Sequence, residues 1–343
     1  MNLRQAWIAG AATFALLFGG AEAFLRSQGH GSTVQDSRAL WASRRAAMTE
    51  VESPVALLGA SRMHYGFDMA TWRERVPSHE PFMLAIDGSS PLPTLKNLAD
   101  DESFKGLAIV SVFAELFEEH KFGPQAAFAK FYARDYHIGA NLENQLTVTI
   151  EGSSAVMNPS LSPLRVAKSI AENGHLPTPN YLHQTSEREA SADFLNQDPE
   201  WLEEHREWRL DKSRKILEAN PPSDPETWAR MLGPVGKWVE AIESRGGRVV
   251  FVCLPATGEL WEIKEAAYPR DQYWSQLEQR FGDRVMHFKD IPEMAQLDCP
   301  DYSHVDTTDR SALTNALIDE LMLRKVVAVD SRNRRATPAP GGR

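Results

Sequence analysis

Short, unbroken apolar runs recur along this chain, and each one ends in small or polar turn residues. Pro54-Val55-Ala56-Leu57-Leu58 stops at Gly59, and Pro81 to Ile86 (PFMLAI) stops at Asp87-Gly88-Ser89-Ser90. Gly106 to Phe113 (GLAIVSVF) is a third run. Arg248 to Leu254 (RVVFVCL), opened by Gly246-Gly247 and closed by Pro255, is a fourth, and Arg284 to Phe288 (RVMHF) is a weaker fifth. Apolar residues that are continuous rather than alternating predict strands buried on both faces, as in a parallel sheet. Helical stretches lie between and around them. Gln35 to Val51 is polar enough for a surface helix, Trp228 to Ser244 puts Trp238, Val239 and Ile242 on one side, and Arg310 to Arg324 spaces Leu313, Leu317 and Leu321 four apart. Such a stripe packs on a sheet. The alternation predicts an α/β domain over residues 35–325, with a five-stranded parallel sheet between two helical layers.

The rhythm breaks over residues 117–225, which are rich in Asn, Ser, His and Glu. This segment reads as an insertion over the C-terminal edge of the sheet, the edge where ligands usually bind. Its aromatic residues Phe117, Phe122, Phe128, Phe131, Tyr132 and Tyr136 either line a groove or, the simpler account, form a small lid core. Asp198 to Ala219 is a charged helix whose charges are expected to face solvent. The tail from Asp330 onward, with its Pro, Gly and Arg residues, is expected to be disordered.

The first 26 residues change the setting. Ala6 to Phe24 is almost wholly apolar or small, with Arg4 before it and Arg26 after it. As a signal peptide it offers Ala21-Glu22-Ala23 for cleavage. As an anchor it is long enough to cross ~30 Å of hydrocarbon. The anchor is preferred because no linker-like stretch follows Arg26, and either reading places the rest of the chain on the periplasmic or extracytoplasmic side. The net charge of −10 argues against nucleic acid as a partner. Cys253 and Cys299 are the only cysteines, with no metal-type spacing, and a bridge between them is the less favoured of two readings.

Three loops carry candidate chemistry. Ser61, two residues beyond Gly59, presents a hydroxyl and its own N–H at the end of a buried strand, although Gly-x-Ser is also an ordinary capping turn. Gly88 follows the second strand, where its backbone can approach a ligand closely. Asp301 and His304 stand three apart ahead of the last helix, with Asp306, Thr307 or Thr308 available to cap that helix. A histidine that takes a proton from serine needs an acid to fix its tautomer and stabilise its imidazolium. Arg62 either binds an anionic substrate group or, the preferred account, pairs with an acid of the fold. His64 reads as a surface or satisfied histidine.

In this order of motifs the chain resembles the SGNH/GDSL hydrolase superfamily, in particular its membrane-anchored bacterial members related to surface-polymer acyl transfer. The stretch LLGASRMHYGFD is similar to their nucleophile block, and Pro269-Arg270, Tyr273-Trp274 and HVDTTDR add to the likeness, which spans about Val55–Phe113 and Val249–Arg324. The resemblance implies a flavodoxin-like strand order, Ser61 as nucleophile, Gly88 as an oxyanion donor, and Asp301 with His304 as the acid–base pair. It implies an esterase or O-acyltransferase acting on acyl esters of a cell-envelope carbohydrate, without metal or organic cofactor, among partners in envelope-polymer biosynthesis. One departure is plain: the third run ends Ser111-Val112-Phe113-Ala114-Glu115, with no asparagine for the third oxyanion donor. That leaves a second reading open, a catalytically weak scaffold or polysaccharide-binding component.

Overall fold

All five apolar runs become strands of one parallel sheet in the computed structural model, which describes residues 2–328. The tail expected to be disordered from residue 330 lies outside the described residues. The strands are β1 (Pro54–Leu58), β2 (Glu80–Met83) and β3 (Leu107–Ser111), then a small hairpin of β4 (Leu182–Gln184) and β5 (Ala190–Ala192), then β6 (Arg248–Cys253) and β7 (Val285–His287). The sheet order is β2-β1-β3-β6-β7, a flavodoxin-like arrangement, while β4 and β5 pair antiparallel apart from it. Every residue of β1 and β3 is buried, which is why their sequences are continuous in apolar residues.

The connections put helices on both faces. Leu92–Asp100 packs against Leu232–Glu243, which in turn meets Trp274–Phe281; Met69–Arg75 and Arg310–Leu323 pack together elsewhere. With right-handed crossovers the first three cover one face and the last two the other. The chain runs from β1 to β2 in one direction and returns past β1 to β3, so the switch point lies between β1 and β3. Gly59 stands at that point. A Cβ there would lie 2.8 Å from Met63 Cβ and 2.9 Å from Ser111 Cβ, so only glycine lets the loop after β1 turn this close to β3.

Several expectations change. The surface helix expected over Gln35–Val51 is Arg38–Ala47, and it is a core helix: Leu40, Trp41, Ala42 and Arg45 are buried, and the Trp41 indole donates to the Leu84 carbonyl at 2.9 Å. The stretch Trp228–Ser244 divides into Pro225–Ala229 and Leu232–Glu243. In the insertion, Phe117 is part of the main core, and Phe122, Phe128, Phe131, Tyr132 and Tyr136 pack against it, so these rings are neither a groove nor a separate lid core. The insertion also braces the site loop. Buried Gln125, on the helix Gly123–Arg134, donates to the Gly59 carbonyl at 2.9 Å and accepts from Thr94 Oγ1 at 2.5 Å. Cys253 and Cys299 are both free, buried thiols, and no bridge joins them.

The N-terminal segment is one helix, Leu3–Ser27, with no buried residue, long and apolar enough to cross a membrane. Its far end is tied to the insertion. The Glu22 carboxylate accepts from Ser154 Oγ at 2.7 Å and from the N–H groups of Ala155 and Val156, each at 3.1 Å.

Candidate active site

Ser61 opens a short helix, Ser61–Gly66, directly after β1. Its Oγ lies 2.7 Å from His304 Nε2, and His304 Nδ1 lies 2.8 Å from Asp301 Oδ2. The loop that brings Asp301 and His304 here is folded by the aspartate itself. Asp301 Oδ1 accepts from the N–H groups of Ser303 at 2.9 Å and His304 at 2.8 Å, closing a tight turn. Tyr302, inside the turn, takes φ +68°, and its carbonyl accepts from Thr257 N–H at 3.1 Å beyond β6. The helix-capping role foreseen for Asp306, Thr307 or Thr308 is not what these residues do. Asp309 stands at the cap without a side-chain bond, and Asp306 instead accepts from the N–H groups of Phe194 at 2.8 Å and Leu195 at 3.1 Å, tying the hairpin to the loop.

Proton positions follow from the partners. A nitrogen facing a carboxylate donates, so His304 carries its proton on Nδ1 and its Nε2 accepts from the Ser61 hydroxyl. Burial pushes the His304 pKa down, against the pull of Asp301, and the cations Arg209 and Arg62 push it the same way as burial. Both effects favour the neutral form of the histidine, the form that can take a proton. Burial works against the Asp301 charge, yet His304 and Arg209 hold its carboxyl well below the usual carboxylate range.

Gly88 meets the same cavity as Ser61. It adopts φ +65°, and neither its N–H nor that of Ser61 donates to an acceptor among the described residues. Two such N–H groups on a cavity that also holds a serine hydroxyl meet the chemical requirement of an oxyanion hole. Among the described residues no asparagine lines the cavity; Ser111, at the end of β3, stands there with Ser303.

Arg62 pairs with no acid among the described residues, contrary to the preferred expectation. It is 8% exposed, and its guanidinium lies over the Phe113 ring, 4.5 Å from the centroid. His64 is a satisfied histidine: buried, it faces Asp87 Oδ1 through Nδ1 at 2.9 Å and the Arg188 carbonyl through Nε2 at 3.0 Å. The Tyr65 hydroxyl donates to the other oxygen of Asp87.

The helix Pro199–Ala219 was expected to turn its charges to solvent, and one face of it enters the site instead. Arg209 pairs with Asp301 Oδ2 at 2.6 Å, and Arg209, Lys212, Ser213 and Ile216 all line the cavity. Their spacing of three, four and seven was the available signal, because it marks a single helical face. Nothing in the sequence says that this face turns inward. No group of three or more His, Cys, Asp or Glu side chains suited to a metal ion occurs among the described residues. Comparison with protein-family models, with curated proteins and with solved structures finds no match to this chain, so the reading of the site rests on its own geometry.

Proposed function

We propose that this chain is a membrane-anchored serine esterase or O-acyltransferase of the SGNH/GDSL type, acting outside the cytoplasmic membrane on acyl esters of an envelope carbohydrate or related substrate. One observation carries the reading: Ser61 Oγ, His304 Nε2, His304 Nδ1 and Asp301 Oδ2 form an unbroken chain of contacts at 2.7 Å and 2.8 Å. In the proposed reaction Ser61 Oγ attacks the ester carbonyl while His304 Nε2 takes the hydroxyl proton. Asp301 stabilises the imidazolium without accepting that proton. The N–H groups of Ser61 and Gly88 hold the developing oxyanion. The alcohol leaves with the proton from His304, and water or a sugar hydroxyl then releases the acyl group by the reverse sequence. The Glu22 contacts with Ser154, Ala155 and Val156 support an uncleaved anchor, since cleavage at Ala21-Glu22-Ala23 would break them. The absence of an asparagine from the cavity wall favours slow turnover, because one oxyanion donor is worth ~10²–10³ in rate.

A fluorophosphonate probe on the full chain in detergent micelles tests this. Labelling is expected in the native chain and lost in Ser61→Ala and His304→Ala. No labelling together with no ester turnover would sink the proposal and leave a binding scaffold. Acetyl release, compared with transfer to added glycans, separates hydrolysis from acyl transfer.

A further inference from the structure

The chain carries a net charge of −10, yet the cavity beside Ser61 is lined by five cations, Arg62, Lys121, Arg209, Lys212 and Lys264, and by one acid, Glu115. Most of these cations are occupied. Lys121 contacts Glu115 at 2.6 Å, Lys264 shares the same carboxylate, and Arg209 is held by Asp301 at 2.6 Å. Lys212 is exposed and rests over the Trp208 ring at 4.7 Å from the centroid, with no ion pair to a described residue. Arg62 is different. It is more than nine-tenths buried, it is next in sequence to Ser61, and it forms no hydrogen bond or ion pair with any described residue.

A buried guanidinium normally finds a carboxylate, because removing a cation from water is costly unless it is paired. Its contact with Phe113 satisfies one face of the group and none of its five N–H donors. Those donors border open space, since Arg62 lines both the cavity at Ser61 and a narrower second one that it shares with Phe113, Cys253, Trp261 and the acid Glu265, with which it makes no ion pair. The planar fork of a guanidinium matches the paired oxygens of a carboxylate or phosphate.

We infer that this cavity selects esters bearing a carboxylate or phosphate close to the reacting carbonyl, and that Arg62 is the residue that binds this anion. The inference rests on the esterase reading for the word ester; the anion site itself does not.

The test therefore has two arms, both on the full chain in detergent micelles. The first needs no turnover. Succinate and inorganic phosphate are titrated separately against Ser61→Ala, with binding read by calorimetry, and the titrations are repeated with Arg62→Gln and Arg62→Lys added. Saturable binding of either anion, weakened about tenfold or more by Arg62→Gln and less by Arg62→Lys, is expected. Which of the two anions binds names the source. No binding of either, or binding indifferent to Arg62→Gln, overturns the inference. The second arm compares 4-nitrophenyl hemisuccinate with 4-nitrophenyl butyrate. The anionic ester is expected to have the higher kcat/KM, with the ratio falling about tenfold or more in Arg62→Gln. If Arg62→Gln does not fold, protection of Ser61 from fluorophosphonate by succinate or phosphate in the native chain replaces it, and the absence of protection overturns the inference. Labelling without any preference for anions defeats the anion site and spares the esterase. Anion binding that depends on Arg62, without labelling or turnover, does the reverse.

Discussion

Arg209→Gln should move the pH dependence of the site toward higher pH. Arg209 and His304 both contact Asp301 Oδ2, at 2.6 Å and 2.8 Å. Two groups on one oxygen lie at most roughly 5 Å apart, where unit charges repel by ~3 kcal/mol at an effective dielectric of about 20. The guanidinium therefore opposes protonation of His304, in the same sense as burial. Its side chain keeps 18% exposure, and the neutral glutamine can still donate to Asp301, so about half of that energy is the usable figure. Losing the guanidinium therefore raises the His304 pKa. The base must be neutral to accept the Ser61 proton, so the rate falls below its pKa. The acidic limb of the profile should move to higher pH in Arg209→Gln and stay in place in Arg209→Lys, which retains the charge. The rate of fluorophosphonate labelling between roughly pH 5 and 9 reads this directly. A limb that stays where it is in Arg209→Gln, or moves to lower pH, refutes the argument.

Two further outcomes concern stability. Arg45 is 1% exposed and donates to Asp101 at 2.6 Å and Asn97 at 2.9 Å; Arg45→Ala leaves both partners behind and should cost ~3 kcal/mol in equilibrium urea unfolding, and a loss under ~1 kcal/mol contradicts this account. His287 is packed against Trp261, Trp274 and Phe288, and burial, helped by Arg270, draws its pKa down to about 3. Its folded pKa lies below its unfolded one, so its contribution is complete above about pH 6.5 and declines as pH falls toward the folded value, by up to ~3 kcal/mol at about pH 4. His287→Asn, which keeps an acceptor for the Lys289 N–H, should lose less stability than the native chain over that interval. Equal losses in both chains would count against the assignment.

The sheet was legible because its strands are buried on both faces. That constraint writes an unbroken apolar run at each strand, and all five runs were found within a few residues of their ends. The helix Arg38–Ala47 was harder. Its polar residues read as a surface, but Arg45 is buried with its charge met by Asp101, and a paired arginine looks the same in sequence as a solvated one. The insertion gave least, because its helices are held by contacts with distant segments, as Gln125 is by Gly59 and Thr94.

Local pattern alone places a serine after β1, a glycine after β2, and an aspartate and a histidine ahead of the last helix. Parallel strands place such loops on one edge, so their meeting follows from topology. Tertiary structure decided which charges face that meeting point. It left Arg62 without a carboxylate partner among the described residues, turned one face of Pro199–Ala219 inward so that Arg209 reaches Asp301, and set Asp306 to holding the hairpin rather than the helix. The physical reason is range. Burial and hydrogen bonding along a strand write a local pattern, whereas a charge pairs through space with whatever the fold brings within a few ångströms, and no local spacing encodes that.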